Sequence, residues 1–251
     1  MSRNFELLHE AGKAQEMLRQ RIEVPVAAAP VLLVPGAPAV QIDGAARQEV
    51  TKLVQRLFMA AGSQRARQVV FAGVERGNGS SWICAHAADV LASQVSGSVC
   101  VVDCDVTFPT LHQEFQVQNH YGLADALLGG ESIRQYVQQL SRPNLWLLSC
   151  GSANEKSREM LTLEAMRRRM SELRAEFDYV LLDVAPISAH NHGSVLGGWC
   201  DGVTLVLKAN SSNRKAAREA LHDLQAANTP VLGAVLNQRT FPVPESIYSR
   251  L

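Results

Sequence analysis

Val69-Val70-Phe71-Ala72-Gly73-Val74-Glu75-Arg76-Gly77-Asn78-Gly79-Ser80-Ser81 is the stretch on which the fold turns. Val69 to Gly73 is a short apolar run that predicts a buried strand. The glycine-containing loop after it predicts a tight reversal, and Ser81 to Gln94 predicts a helix. Glycines let backbone amides approach an anion, and the helix N-terminus adds positive potential at the same point. A plain strand-to-helix turn would have the same composition, so the loop by itself leaves both readings open.

The pattern repeats outward from this stretch. Ser98 to Asp103 (SVCVVD), Leu145 to Ser149 (LWLLS), Tyr179 to Asp183 (YVLLD), Gly202 to Lys208 (GVTLVLK) and Val231 to Asn237 (VLGAVLN) all read as buried strands. Helices are predicted from about Gly44 to Ala61, with Val50, Leu53, Val54, Leu57 and Phe58 on one face, from about Thr162 to Phe177, and from about Arg214 to Ala227. Continuous apolar strands alternating with helices predict an α/β fold, a mainly parallel sheet with helices on both faces.

The bulk numbers agree with one α/β domain and an added arm. The chain has 251 residues, 47% hydrophobic and 19% charged, enough for a sizeable core. Basic and acidic residues balance at 24 each, which gives no electrostatic case for a nucleic-acid partner. The five cysteines (Cys84, Cys100, Cys104, Cys150, Cys200) include no C-x-x-C pair, and Cys100 and Cys104 lie in an apolar run. They read as reduced thiols in a cytoplasmic setting, without a disulfide framework or a zinc site.

Residues 1–43 predict an N-terminal helix, from Asn4 to about Arg21, and a proline-rich linker; 44–240 predict the α/β domain, and 241–251 a tail. The N-terminal stretch is charged throughout, without the apolar core of a signal peptide. The most apolar segment, Val24 to Val40, is interrupted by Pro25, Pro30, Pro35 and Pro38, so no membrane-spanning helix is expected there.

In open α/β sheets, ligands bind outside the carboxyl ends of the strands. Four positions there carry possible chemistry. Gly77, Asn78, Gly79, Ser80, Ser81 and Trp82 form the loop and first turn expected to contact phosphate, but Ser80 stands where a full Walker A motif has Lys, and Ser81 holds the magnesium-binding hydroxyl position. Asp103-Cys104-Asp105 offers two carboxylates that can serve magnesium or act as a base; solvated loop acids or a helix cap would look alike. Asp183 closes YVLLD in the Walker B pattern, a magnesium position with Ser81 and Asp103. Asn237 ends the last strand and either makes an Asx turn or reads a base edge.

In these segments the chain resembles the bacterial tyrosine kinases (the BY-kinase, CpsD/CapB branch) of the MinD/ParA-like P-loop NTPases. The resemblance runs from about Glu49 to Asn237. VVDCDVTFPTLHQEF (Val101 to Phe115) is similar to the family's Walker A′ segment and the PxLH motif after it. LADALLG (Leu123 to Gly129) and LLSCG (Leu147 to Gly151) are similar to two further segments, FDYVLLDVAPI (Phe177 to Ile187) to its Walker B, and DGVTLVLKAN and LGAVLNQ to its last core strands. The resemblance implies ATP or ADP with Mg2+ as cofactors and Asp103 and Asp105 as catalytic acids. It also implies exopolysaccharide synthesis and export as the setting. The implied partner is an inner-membrane polysaccharide co-polymerase or chain-length regulator that holds the protein at the membrane periphery, with a homo-oligomer as a further option.

The departures bear on activity. Thr107 and Phe108 stand where the family has arginines; Glu49, Lys52 and Gln55 keep only part of its Glu-x-x-Arg-x-x-Arg motif; and Tyr248 stands alone in place of a tyrosine cluster. Tyr248 lies among Phe241, Pro242, Pro244, Ile247 and Leu251, and reads as a packing or hydrogen-bonding contact rather than a phosphoacceptor. A charged hydrogen bond to phosphate is worth roughly 1.5–3 kcal/mol, so loss of the Lys weakens nucleotide binding on the order of ten- to a hundredfold. Three readings stay open on the sequence: a weakly active or inactive nucleotide-binding regulatory subunit, an active autokinase or ATPase using another cation such as Arg76 or Lys208, and an adaptor without a nucleotide role.

Overall fold

The strands in chain order are β1 (Gln68–Gly73), β2 (Val99–Asp103), β3 (Gln138–Gln139), β4 (Leu145–Leu148), β5 (Tyr179–Val184), β6 (Gly202–Lys208) and β7 (Val231–Asn237). Across the sheet they lie in the order β3-β4-β2-β5-β1-β6-β7. Every pairing is parallel except β3 with β4. The computed structural model describes residues 42–60, 65–152, 159 and 164–238. The expected N-terminal helix, the proline-rich linker and the tail carrying Tyr248 lie outside them.

Period-two alternation along β1 divides the core. Val69 and Phe71 point to one face, where α1 (Gly44–Phe58) and α2 (Ser80–Gln94) pack with Val50, Val54, Phe58, Ala88 and Leu91. Val70 and Ala72 point to the other, against Met170 and Leu173 of α5 (Glu164–Glu176), Leu196 of α6 (His192–Trp199) and Leu224 of α7 (Arg214–Ala226). Burying a side chain such as Phe71 contributes about 1.5–3 kcal/mol. All residues from Ile83 to Ala92 in α2 are buried, because this helix is closed in by the sheet on one side and α1 on the other.

Local chemistry sets the helix ends. Asp43 caps α1 by accepting from the Ala46 amide at 2.7 Å, and Asn213 caps α7 through the Lys215 amide at 2.8 Å. Between β2 and β4 lie two short helices, α3 (Leu111–Glu114) and α4 (Leu123–Leu128). Arg169 of α5, 1% exposed, donates to the carbonyls of Ala126 (2.6 and 2.8 Å), Gly129 (3.0 Å) and Glu131 (2.7 Å), satisfying the carboxyl end of α4.

Two features depart from the expectation. The antiparallel edge strand Gln138–Gln139 is polar and two residues long, so no apolar pattern marks it. β7 was expected to be buried on both faces, but its burial alternates and leaves Leu232 and Leu236 exposed, because it is the sheet edge. The cysteines are free thiols, all buried except the partly buried Cys200. Among the described residues, no helix is long and apolar enough to cross a membrane.

Candidate functional site

The site is built where β1, β2 and β5 end side by side. Asp103, the last residue of β2, pairs in register with Asp183 of β5, and Asp183 pairs with Phe71 of β1. The loop after β1 therefore rises next to both carboxylates. Gly77 (φ 80°) and Gly79 (φ 83°) take left-handed backbone, which glycine adopts without steric cost. The Asn78 side chain accepts from the Glu75 amide at 2.9 Å and so closes the loop on itself. From β7, the Asn237 amide donates to the Asn78 carbonyl at 3.0 Å. Gly79 is the N-cap of α2 and, having no side chain, leaves the first-turn amides without an N-cap hydrogen bond.

The two aspartates have opposite surroundings. Asp103 is fully buried and accepts from the amides of Asp105 (3.2 Å), Thr110 (3.1 Å) and Leu111 (3.0 Å). Burial pushes its carboxyl up to about 7; the backbone amides pull the other way and the Asp105 charge adds to the rise. Asp183 is 1% exposed, and neither of its oxygens has a hydrogen-bond partner among the described residues. Burial raises its carboxyl well above the usual range, with Asp103 second. Ser81 and, more weakly, Ser80 favour its charged form as polar neighbours, though neither hydroxyl is in hydrogen-bonding geometry. Asp105 turns its own loop, accepting from the amides of Thr107 (3.1 Å) and Phe108 (3.0 Å).

This donor set fits magnesium. Mg2+ is usually held by one or two carboxylates, waters and phosphate oxygens rather than by an all-protein cage. Asp183 supplies an orphaned buried carboxylate, which costs free energy unless a ligand engages it. Asp103 and Ser81 are the other oxygen donors that would hold the ion, which would neutralise phosphate charge there. No group of three or more His, Cys, Asp or Glu side chains spaced to hold a metal occurs among the described residues, so phosphate and water oxygens would complete the shell.

Ser80 opens α2 at the position where the Walker A motif has Lys. The Trp82 indole stacks on His86 of the same helix, with ring centroids 3.9 Å apart. Asn237 both bonds the loop and accepts from the Gln238 amide at 2.8 Å, so its side chain ties the loop after β1 to the sheet edge.

Two neighbours of the site are not marked as site residues by any motif. His192, stacked on His190 at 5.2 Å, is held below the usual imidazole range by burial and by His190, while the Asp105 charge opposes both. The only sequence signal for it is the Ala-His-Asn-His run after the Walker B segment. The Arg76 guanidinium lies 3.5 Å over the Phe108 ring, joining the loop after β1 to the loop after β2. An open groove of about 860 Å3 runs beside His190, between the loop after β5, α6 and the end of α7.

Parallel order, strand-end carboxylates and the glycine loop give an α/β fold like that of the solved ParA-family ATPase of Chlorobium tepidum (TM-score 0.61, 20% identity) and the Pyrococcus furiosus cell division ATPase MinD (TM-score 0.60, 19% identity), a likeness of fold. The chain belongs to the family described as cellulose biosynthesis protein BcsQ, whose family model matches residues 66–226. It is also a relative of bacterial tyrosine kinases. It is 30% identical over 178 residues to the tyrosine-protein kinase YwqD of Bacillus subtilis (strain 168), covering 71% of this chain and 75% of YwqD. It is 28% identical over 183 residues to the succinoglycan biosynthesis transport protein ExoP of Rhizobium meliloti (strain 1021), covering 72% of this chain and 23% of ExoP. The chain thus spans less than a quarter of ExoP's length. The kinase domain of the Escherichia coli tyrosine kinase ETK superposes with a TM-score of 0.72 at 20% identity, over 82% of this chain and 84% of that one, a likeness of fold.

Proposed function

We propose that this chain is a nucleotide-binding regulatory subunit of bacterial exopolysaccharide assembly that binds Mg-ATP or Mg-ADP weakly and hydrolyses ATP very slowly. The observation that carries the reading is the buried, unpartnered carboxylate of Asp183 beside Asp103 and the uncapped start of α2. A buried charge without a protein partner is retained where a ligand engages it. Ser80 accounts for the weakness: without a Lys, transition-state charge on the phosphates is less well stabilised, which lowers turnover by about two to three orders of magnitude.

The relatives suggest the setting. The matching family is described by cellulose biosynthesis, and ExoP by succinoglycan biosynthesis and transport. In this reading the chain works in the cytoplasm at the inner-membrane periphery, docked to a polysaccharide co-polymerase or chain-length regulator, alone or as a homo-oligomer. Catalysis, where it occurs, uses Asp103 and Asp105, with the ion on Ser81, Asp103 and Asp183.

Calorimetric titration of the full chain with ATP tests the reading, with magnesium and with a chelator. Binding that requires magnesium, with hydrolysis near background, is the expected result. No binding at millimolar nucleotide would leave the adaptor reading in its place, and rapid turnover would favour an active autokinase or ATPase.

A further inference from the structure

The loop after β1 carries its own cation. Arg76 directly precedes Gly77, so its backbone belongs to the segment that wraps a phosphate. Its guanidinium carbon lies over the Phe108 ring, 3.5 Å from the centroid. A guanidinium carries its N–H donors in a planar fork suited to paired contacts with phosphate oxygens. Arg76 is exposed, and the stack on Phe108 is the contact that orients it.

Phe108 is held in turn. Its amide donates to Asp105 Oδ1 at 3.0 Å, in the same loop whose Thr110 and Leu111 amides bind Asp103. The Phe108 backbone is therefore tied to the loop after β2, and the Arg76 contact joins the loop after β1 to it. The contact joins two places where the chain departs from the pattern it resembles: the loop in which Ser80 replaces Lys, and the loop in which Phe108 replaces arginine. Lys208 is placed differently, at the end of β6 in register with Asn237 of β7.

We propose that Arg76 is a phosphate-binding cation of this site that partly offsets the missing Lys, and that Phe108 is its positioning residue, a platform that holds the guanidinium beside the loop after β1 for contact with the β- and γ-phosphates of a nucleoside triphosphate. The proposal rests on the nucleotide-binding reading above. It places the charge on the loop's opening residues instead of at the start of α2.

The test is calorimetry on the full chain with Mg-ATP and with AMP, for wild type, Arg76→Ala, Phe108→Ala and the double variant. Both side chains are exposed, and thermal melts check that each variant is folded. Arg76→Ala is expected to weaken Mg-ATP binding about ten- to a hundredfold, and AMP binding by less than about threefold. Phe108→Ala is expected to weaken Mg-ATP binding about two- to fivefold in the wild-type background and not at all when Arg76 is already Ala. Arg76→Ala that binds Mg-ATP like wild type, or loses ATP and AMP equally, overturns the assignment of Arg76. An equal Phe108→Ala effect in both backgrounds overturns the platform role. Wild type that binds no ATP removes the nucleotide reading first, and this inference with it.

Discussion

Asp103 and Asp183 stand opposite each other on adjacent parallel strands, in register, yet one is held by three backbone amides and the other by no partner among the described residues. The amides commit Asp103 largely to shaping the loop after β2. Asp183 is left with buried acceptor capacity at the same edge. This asymmetry leaves both oxygens of Asp183 open to a ligand, while Asp103 offers the acceptor capacity that its three amides leave.

Asp183→Asn removes a buried carboxyl that lacks a hydrogen-bond partner among the described residues. The variant is expected to melt higher than wild type without nucleotide, by about 2–4 °C for each kcal/mol gained, and to lose the magnesium dependence of nucleotide binding. Differential scanning calorimetry with a chelator, paired with titrations in magnesium, reads both effects. A lower melting temperature would mean that Asp183 is satisfied in the folded protein.

The raised carboxyls also set a pH dependence. An acid whose folded pKa lies above its unfolded value binds a proton more readily in the native state, so its contribution to stability is complete below the unfolded pKa of about 4 and is lost as pH rises through the folded value. For Asp103 that window runs up to about 7, and Asp183 is shifted in the same direction. Without ligand, the part of stability tied to these two groups is expected to fall as pH rises from about 4 through about 7. Asp183→Asn should flatten that slope in urea titrations across pH, and a wild-type slope equal to the variant's would contradict the assignment.

Ser80→Lys restores the charge at the start of α2. With the loop in its present geometry, Mg-ATP affinity is expected to rise about tenfold or more. An unchanged affinity by calorimetry would show that a lysine there cannot reach the phosphates.

Asn237→Ala deletes the hydrogen bond from β7 to the Asn78 carbonyl. A loss of about 0.5–1.5 kcal/mol in stability is expected, together with faster amide exchange at Asn78 and Gly79. Hydrogen-exchange mass spectrometry resolves the two, and protection identical to wild type would mean that the loop is held without β7.

Much of the architecture was legible in the residues. Continuous apolar runs such as VVFAG and YVLLD can be buried only between two helical layers, so strand identity and the parallel arrangement follow from composition and period. The carboxylates at strand ends were legible for the same reason: a charged residue that closes an apolar run lies at the edge of the sheet. β3 was not, since Gln138 and Gln139 are strand residues only because they lie beside β4.

What the sequence determined by itself was the class of fold, the strand ends at which Asp103 and Asp183 lie, and the absence of a Lys at Ser80, because hydrophobic period and residue identity are properties of short segments. Only the tertiary structure decided that Asp103 is satisfied while Asp183 is not, that Asn237 holds the loop, and that Arg76 lies on Phe108. Asp103 is satisfied within its own loop, by how that loop folds back on it. The pairing of Asp103 with Asp183, the Asn237 bond and the Arg76 contact join residues 32 to 159 positions apart, which only the crossovers of a parallel sheet bring together.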